Sequence, residues 1–304
     1  MSFDISWWIY FNIAVVISLI LDLKILHKTD APMSSKKAIC ISIMWVGAAL
    51  GFSALLQITH GHTKALEFLT GFIIEKSLSI DNLFVFLLIF QYFNVPERHR
   101  WRILIWGIIG AIIMRFIFIF LGIALIQAFH WIIYLFGAFL IATGFALFKK
   151  KDRDINFKKN WLVVLLEKFM PVVTEWENGS FFVRKNGILH ATPLLAVLLT
   201  IESTDLVFAL DSIPAVFAIT LDPFIVYSCN VLAILGLRPL FFVLQDLVSY
   251  FSLLHYGVCI VLIFVGLKMI LSGFFPIPTL VSLAIIVLIV LSSILLSLMI
   301  KDKK

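Results

Sequence analysis

Five carboxylates stand inside long apolar runs of this chain: Glu75 and Asp81 in EKSLSIDNLFVF, and Glu202, Asp205 and Asp211 in ESTDLVFALDSIPAV. Each run contains an acid followed six residues later by an Asp and then a small polar residue, Asn82 in the first and Ser212 in the second. Carboxylate, amide and hydroxyl oxygens without clustered Cys or Met form the ligand set of a hard divalent cation such as Mn²⁺, Mg²⁺ or Ca²⁺, not of Cu(I). An acid at the centre of a spanning helix costs roughly 2.5 to 3.5 kcal/mol, so five left unpaired amount to on the order of 12 to 17 kcal/mol. They must face a polar interior. The bland reading is that they tie a bundle together by pairing with Arg115, Arg238, Lys76 and Lys268. Five acids in two related clusters exceed what helix association needs. Glu75, Asp81, Asn82, Glu202, Asp205, Asp211 and Ser212 are therefore the candidate metal ligands, with Arg115 and Arg238 as charge-compensating groups.

The elements that must position these residues follow from composition. The chain has 304 residues, 62% hydrophobic and 14% charged, with a mean hydropathy of +1.08. That is an integral membrane protein rather than a soluble domain. A bilayer core of about 30 Å takes roughly 20 helical residues to cross. Apolar stretches of that order occur near 6–26, 38–57, 64–93, 103–125, 127–148, 191–221, 223–245, 253–272 and 277–299. Uniform apolarity over such lengths excludes barrel strands, so the fold is an all-α bundle of about nine transmembrane helices. The two acidic spans, 63–93 and 191–221, have 31 residues each, about 46 Å if straight, which requires strong tilt or a break. Pro214 has no amide hydrogen for the carbonyl of Leu210, which predicts an interruption beside Asp211.

The two acidic runs are also copies of one another. Glu75 aligns with Asp205, Asp81 with Asp211 and Asn82 with Ser212. The correspondence continues to Arg115 and Arg238, and more weakly to His130 and His255. Each copy contains three spans, an odd number, so the second enters the membrane from the opposite side. Such inverted repeats place an ion site at their interface near the midplane. The expected organisation is two leading helices (1–62), repeat 1 (63–148), a basic cytoplasmic segment (149–190), repeat 2 (191–275), and a last helix with a basic tail (276–304).

Orientation follows from Lys and Arg. With the N-terminus outside and the C-terminus cytoplasmic, 19 of the 24 basic residues fall on the cytoplasmic side. The net charge of +6 thus describes topology and not nucleic-acid binding. Trp7, Trp8 and Trp131 near outer span ends and Trp101 near an inner one fit interfacial belts. The start, MSFDISWW, lacks the features of a removable signal peptide, so the first span is expected to stay. In the basic segment the apolar run before Pro171 is too short to span, and Asn186-Gly187 predicts a tight hairpin. Cys40, Cys229 and Cys259 have no C-x-x-C spacing and read as buried small apolar residues. His60-Gly61-His62, Asp22 and Glu67 read as ordinary loop or span-end groups, and His130 and His255 as solvated. No nucleotide loop, serine triad or metallohydrolase signature occurs, so no enzyme and no permanently bound cofactor is expected.

EKSLSIDNLFVF, ESTDLVFALDSIPAVFAIT and FFVRKNGILHATPL resemble the TerC/Alx family of integral membrane proteins, named for tellurium resistance, over most of the chain. The resemblance implies a nine-helix architecture within the wider LysE-type exporter group. It also implies a role in Mn²⁺ homeostasis by export from the cytoplasm. Glu75, Asp81 and Asn82 match the family's first motif, and Glu202, Asp205, Asp211 and Ser212 its second. Mn²⁺ over Mg²⁺ or Ca²⁺, and the outward direction, come from the resemblance alone.

The function expected is secondary transport of divalent cations, Mn²⁺ favoured, with a proton as counter-ion, in the cytoplasmic (inner) membrane. The leading alternative is a non-transporting assembly or tellurite-resistance factor, which would have no need to bury an acid cluster. A channel is disfavoured because Arg115 and Arg238 would put positive charge in a cation path.

Overall fold

The computed structural model of the chain describes residues 3–26, 35–129, 131–149, 170–171, 173, 180–185, 187–247, 253–271, 275 and 277–301. His130, Asn186 and most of the basic segment lie outside these residues, and so do the side chains of Asp22, Asp81, Asp211 and His255.

Among the described residues ten helices follow the apolar runs: α1 Ile5–Leu26, α2 Ser35–His60, α3 His62–Tyr92, α4 Glu97–Ala128, α5 Ile132–Lys149, α6 Pro193–Phe217, α7 Pro223–Leu235, α8 Leu237–Leu247, α9 Leu254–Leu271 and α10 Thr279–Lys301. Five spans among these residues are long and apolar enough to cross a bilayer: α2, α4, α6, α10, and α7 with α8 taken together. Helices α1, α5 and α9 carry shorter apolar stretches. Helix α3 has the length, 31 residues, but also charges at Lys64, Glu67, Glu75, Lys76 and Asp81. The expected hairpin forms from β1 Phe182–Lys185 and β2 Ile188–Ala191, with Lys185 opposite Ile188 and Gly187 at φ +81° in the turn.

Local chemistry sets the helix starts near the acids. Thr192 in extended conformation precedes Pro193 at the first position of α6, where a missing amide hydrogen costs nothing. Asp222 caps α7 by accepting from the amides of Phe224 and Ile225 at 3.1 and 3.4 Å, again with Pro at the first position.

The interruption expected at Pro214 does not form, and α3 takes the tilt that its length allows as the alternative to a break. Helix α3 runs unbroken, so its roughly 46 Å must be accommodated by tilt. Helix α6 continues through Pro214 and ends at Phe217, with the proline in its closing turns. A proline there removes one hydrogen bond of a helix about to finish, which is a smaller disturbance than in mid-helix. The break lies instead between α7 and α8 at Gly236, within one apolar span that runs from Pro223 to Gln245.

Helix α7 is the axis of the bundle, buried at every residue from Phe224 to Leu235. Helices α3 and α4 pack along it; α4 also packs on α6, and α5 on α9. In that last pair a Cβ on Gly266 would lie 2.6 Å from the carbonyl oxygen of Gly137, so the two backbones touch through small residues. At one end Trp7, Trp8 and Phe11 of α1 stack against Phe224 and Tyr227, and Tyr227 donates to Asn12 Oδ1 at 2.7 Å. Trp7 and Trp8 thus serve as packing anchors, whereas Trp131 is exposed. The outer surface is apolar, with Ile58 84% and Leu288 70% exposed, as lipid contact requires. Cys40 lies on that exposed surface rather than in the core; Cys229 and Cys259 are buried as expected.

Gly266→Val should lower the thermal unfolding midpoint of the purified protein by an amount equivalent to roughly 1 to 3 kcal/mol of overpacking. Gly51→Ala, with nothing within 4 Å of the added methyl, should leave it unchanged or slightly higher.

Candidate functional site

Glu75 is buried in the middle of α3, Arg115 in α4, Asp205 in α6 and Asn230 in α7. Arg115 Nη1 donates to Glu75 Oε2 and, at 2.6 Å, to Asn230 Oδ1. Its Nη2 stands 3.8 Å from Asp205 Oδ1, an ion pair without a hydrogen bond. The Arg115 and Glu75 side chains have no exposed surface, and Asp205 has 5%. Four helices thus meet at one guanidinium. With both acids ionised the three charged groups sum to −1 (two carboxylates and one guanidinium).

Each acid spends one oxygen on Arg115 and keeps another. Glu75 Oε1 and Asp205 Oδ2 are buried with no hydrogen-bond partner among the described residues, and the same holds for Ser212 Oγ, Ser79 Oγ and Asn82 Nδ2. Buried polar atoms are nearly always satisfied, so two orphaned carboxylate oxygens at one guanidinium mark a place built for something other than packing. A cavity of about 20 Å³ adjoins Asp205, lined also by Phe86, Ile108, Ile201, Leu237 and Arg238. It has room for one water or one small ion. All of its lining residues on α3, α4, α6 and α7 lie on the same side of the Arg115 centre, toward the end of the bundle that carries the β1–β2 hairpin.

The remaining candidates are distributed around this centre. Glu202 sits one turn before Asp205 on α6 but does not reach Arg115. Its carboxylate lies flat on α4 where a Cβ on Gly110 would overlap it, so only glycine permits that approach. Arg238 is 2% exposed and begins the first turn of α8. Lys76, which the bland reading would pair with an acid, instead donates to the carbonyl of Ala233 at 3.4 Å. Among the described residues no three His, Cys, Asp or Glu side chains converge as a metal cluster. What joins Glu75 and Asp205 is Arg115. His60 is the last residue of α2 and not a loop group; it stacks on Phe3 at 4.2 Å, meets Trp7 edge-on and pairs with Thr59.

Two groups were not singled out by the sequence. Asn230, the third partner of Arg115, is an ordinary amide in a buried helix, and only its polarity amid apolar neighbours could have drawn attention. Asp222 belongs to a clasp at the opposite end from the cavity. Lys64 Nζ reaches Glu67 Oε2 at 3.0 Å and Asp222 Oδ2 at 2.9 Å, while Thr220 donates to Glu67 at 2.9 Å. Glu67 is therefore not a span-end acid left to solvent; it ties α3 to the α6–α7 connection.

Residues 60–304 match the family described as "Integral membrane protein TerC family". The chain belongs to the TerC family. A relative from Salmonella typhi, "Putative membrane-bound redox modulator Alx", is 44% identical over 288 residues, covering 92% of this chain and 89% of the relative. "Uncharacterized membrane protein STKORF319" of Myxococcus xanthus is 44% identical over 291 residues, covering 96% and 91%. An "Uncharacterized membrane protein" of Rickettsia bellii is 39% identical and covers 98% of each. No solved structure matches the chain. The four residues of the Arg115 centre all lie within the part matched to TerC, whereas most of α1 and α2 precedes it.

Arg115→Gln should destabilise the TerC fold by about 3 to 5 kcal/mol, the cost of leaving a buried charge uncompensated. Glu75→Gln on the same background should recover a large part of it, as read in a double-mutant cycle of unfolding midpoints. Additive losses in the double variant would mean that the pair does not act as a unit.

Proposed function

We propose that this TerC-family protein is a secondary transporter of divalent metal cations, exporting Mn²⁺ across the cytoplasmic membrane in exchange for protons. The observation that carries the reading is the buried Glu75–Arg115–Asp205 centre, in which each acid retains an oxygen with no partner among the described residues. Buried ionisable groups inside a membrane bundle are expensive and are kept for function. The centre holds a net negative charge and hard oxygen donors, which is the chemistry of Mn²⁺ or Mg²⁺.

The packing supports an inverted repeat. If α3, α4 and α5 correspond to α6, α7–α8 and α9, then α3 on α7, α4 on α6 and α5 on α9 are the reciprocal contacts that a twofold relation demands. Nine crossings result when α7 and α8 count as one. In this reading the clasp of Lys64, Glu67 and Asp222 closes the outer end and the cavity beside Asp205 opens toward the cytoplasm. A cytoplasmic cation would displace Arg115 from the acids, the repeats would rock, and protonation from outside would favour release. Arg115 returning to the acids would reset the site. Asp81, Asp211 and Asn82 with Ser212 would complete the coordination. The redox role in the relatives' name has less behind it, since the three cysteines are free and lie on α2, α7 and α9.

Proteoliposomes loaded with a Mn²⁺-sensitive dye should show uptake that increases with an imposed pH gradient. Asp81→Asn, Asp205→Asn and Asp211→Asn should each lower it at least about tenfold, equivalent to 1.4 kcal/mol or more. Absence of flux by the wild-type protein would instead favour a non-transporting assembly or tellurite-resistance factor, and flux by the variants equal to wild type would overturn the carboxylate ion site.

A further inference from the structure

The break between α7 and α8 exposes the carbonyl end of a buried helix. Helix α7 stops at Leu235, Gly236 turns out of the helical path, and Pro239 in the first turn of α8 has no amide hydrogen for the Leu235 carbonyl. The last carbonyls of α7 are therefore not all consumed by a continuing helix, and together with the helix macrodipole they favour a cation at this point.

A cation is there. Lys76 Nζ donates to Ala233 O at 3.4 Å. It comes so near the backbone that a Cβ on Gly236 would lie 2.6 Å from Nζ and 3.3 Å from Trp45 Cβ. Gly236 has φ −81°, so the absence of a side chain here bears on the close approach of the ammonium and not on an unusual backbone angle. Had Lys76 served only to neutralise an acid, it would sit against a carboxylate. Ile234, Leu237 and Arg238, which flank Ala233 and Gly236 in the chain, also line the cavity beside Asp205. Carbonyl ends of broken helices are where membrane bundles hold small monovalent cations.

We propose that the carbonyl end of α7 is a monovalent-cation site whose resident in this structure is the tethered ammonium of Lys76, and that Na⁺ or K⁺ can take the ammonium's place. The site is distinct from the Arg115 centre and does not depend on what that centre carries. The two are mechanically joined, however. Glu75 and Lys76 are consecutive on α3, and their contacts reach Asn230, through Arg115, and Ala233, one turn apart on α7. A shift of α3 along α7 withdraws the ammonium and opens the carbonyl end to a free cation.

Thermal unfolding of the full-length purified protein in NaCl, KCl and choline chloride at equal ionic strength tests this directly. The three wild-type midpoints should coincide, because the site is filled. Lys76→Met should unfold several degrees lower in choline and be raised, saturably, by Na⁺ or K⁺, as a ligand bound only by the folded state requires. Coincident midpoints for Lys76→Met in all three salts would overturn the proposal. If Lys76→Met does not fold, Lys76→Gln decides: its midpoint should be higher in Na⁺ or K⁺ than in choline, and coincident midpoints in the three salts would overturn the proposal.

Discussion

Arg115 has no exposed surface, and its guanidinium is tolerable in the bundle only because Glu75, Asp205 and Asn230 arrive from three other helices to surround it. Removing such ions from water costs several kcal/mol each. The attraction between unit charges at 4 Å is about 4 kcal/mol at an effective dielectric constant of 20. Gain and cost are of similar size, so the centre contributes little net stability. That near-balance is what a site exchanging an internal cation for an external one needs, because neither occupant is held by a large excess of energy.

The remaining architecture reads as the means of holding four helices at that point. Helix α7 brings Asn230 to the centre by being buried all round, and the aromatic stack from α1 fixes its capped end. Gly110 lets α4 and α6 approach closely enough for Glu202 to lie between them, one turn from Asp205. The clasp from Lys64 to Asp222 closes one end, and the small cavity touches Asp205 from the other. Arg115 reaches Asp205 and Asn230, Lys64 reaches Asp222 and Lys76 reaches Ala233 from the α3–α4 side to the α6–α7 side, so relative motion of the two sides would alter these contacts together and leave Arg115–Glu75 intact.

Much of this was legible in the chain before any coordinates. Apolar run length marks the helices because bilayer thickness fixes it, and the cost of intramembrane charge singled out Glu75, Asp205 and Arg115. Periodicity and length do not report which side chains meet, so Asn230 and the clasp through Asp222 were missed. The break was misassigned to Pro214, whose effect is confined to the last turns of α6. LGLRP, with Gly236 and Pro239 three residues apart, was the stronger signal, but it sat in a span whose length raised no alarm. The sequence offers Lys76 a partner only in the bland reading, as a neutraliser of acids, because charge pairing is the usual fate of a buried lysine; a helix end as its partner can be seen only in three dimensions.

Competition between Arg115 and a divalent cation for the same carboxylates is the central claim. Titration of Mn²⁺ into the purified protein, followed by loss of the free-ion electron paramagnetic resonance signal, addresses it without any assumption about transport. Wild type should bind Mn²⁺ with an affinity that Glu75→Gln weakens, and Arg115→Gln should bind at least about tenfold more tightly, since the acids no longer have an internal occupant. Arg115→Gln binding no better than Glu75→Gln, or no Mn²⁺ bound by any of the three, would contradict it.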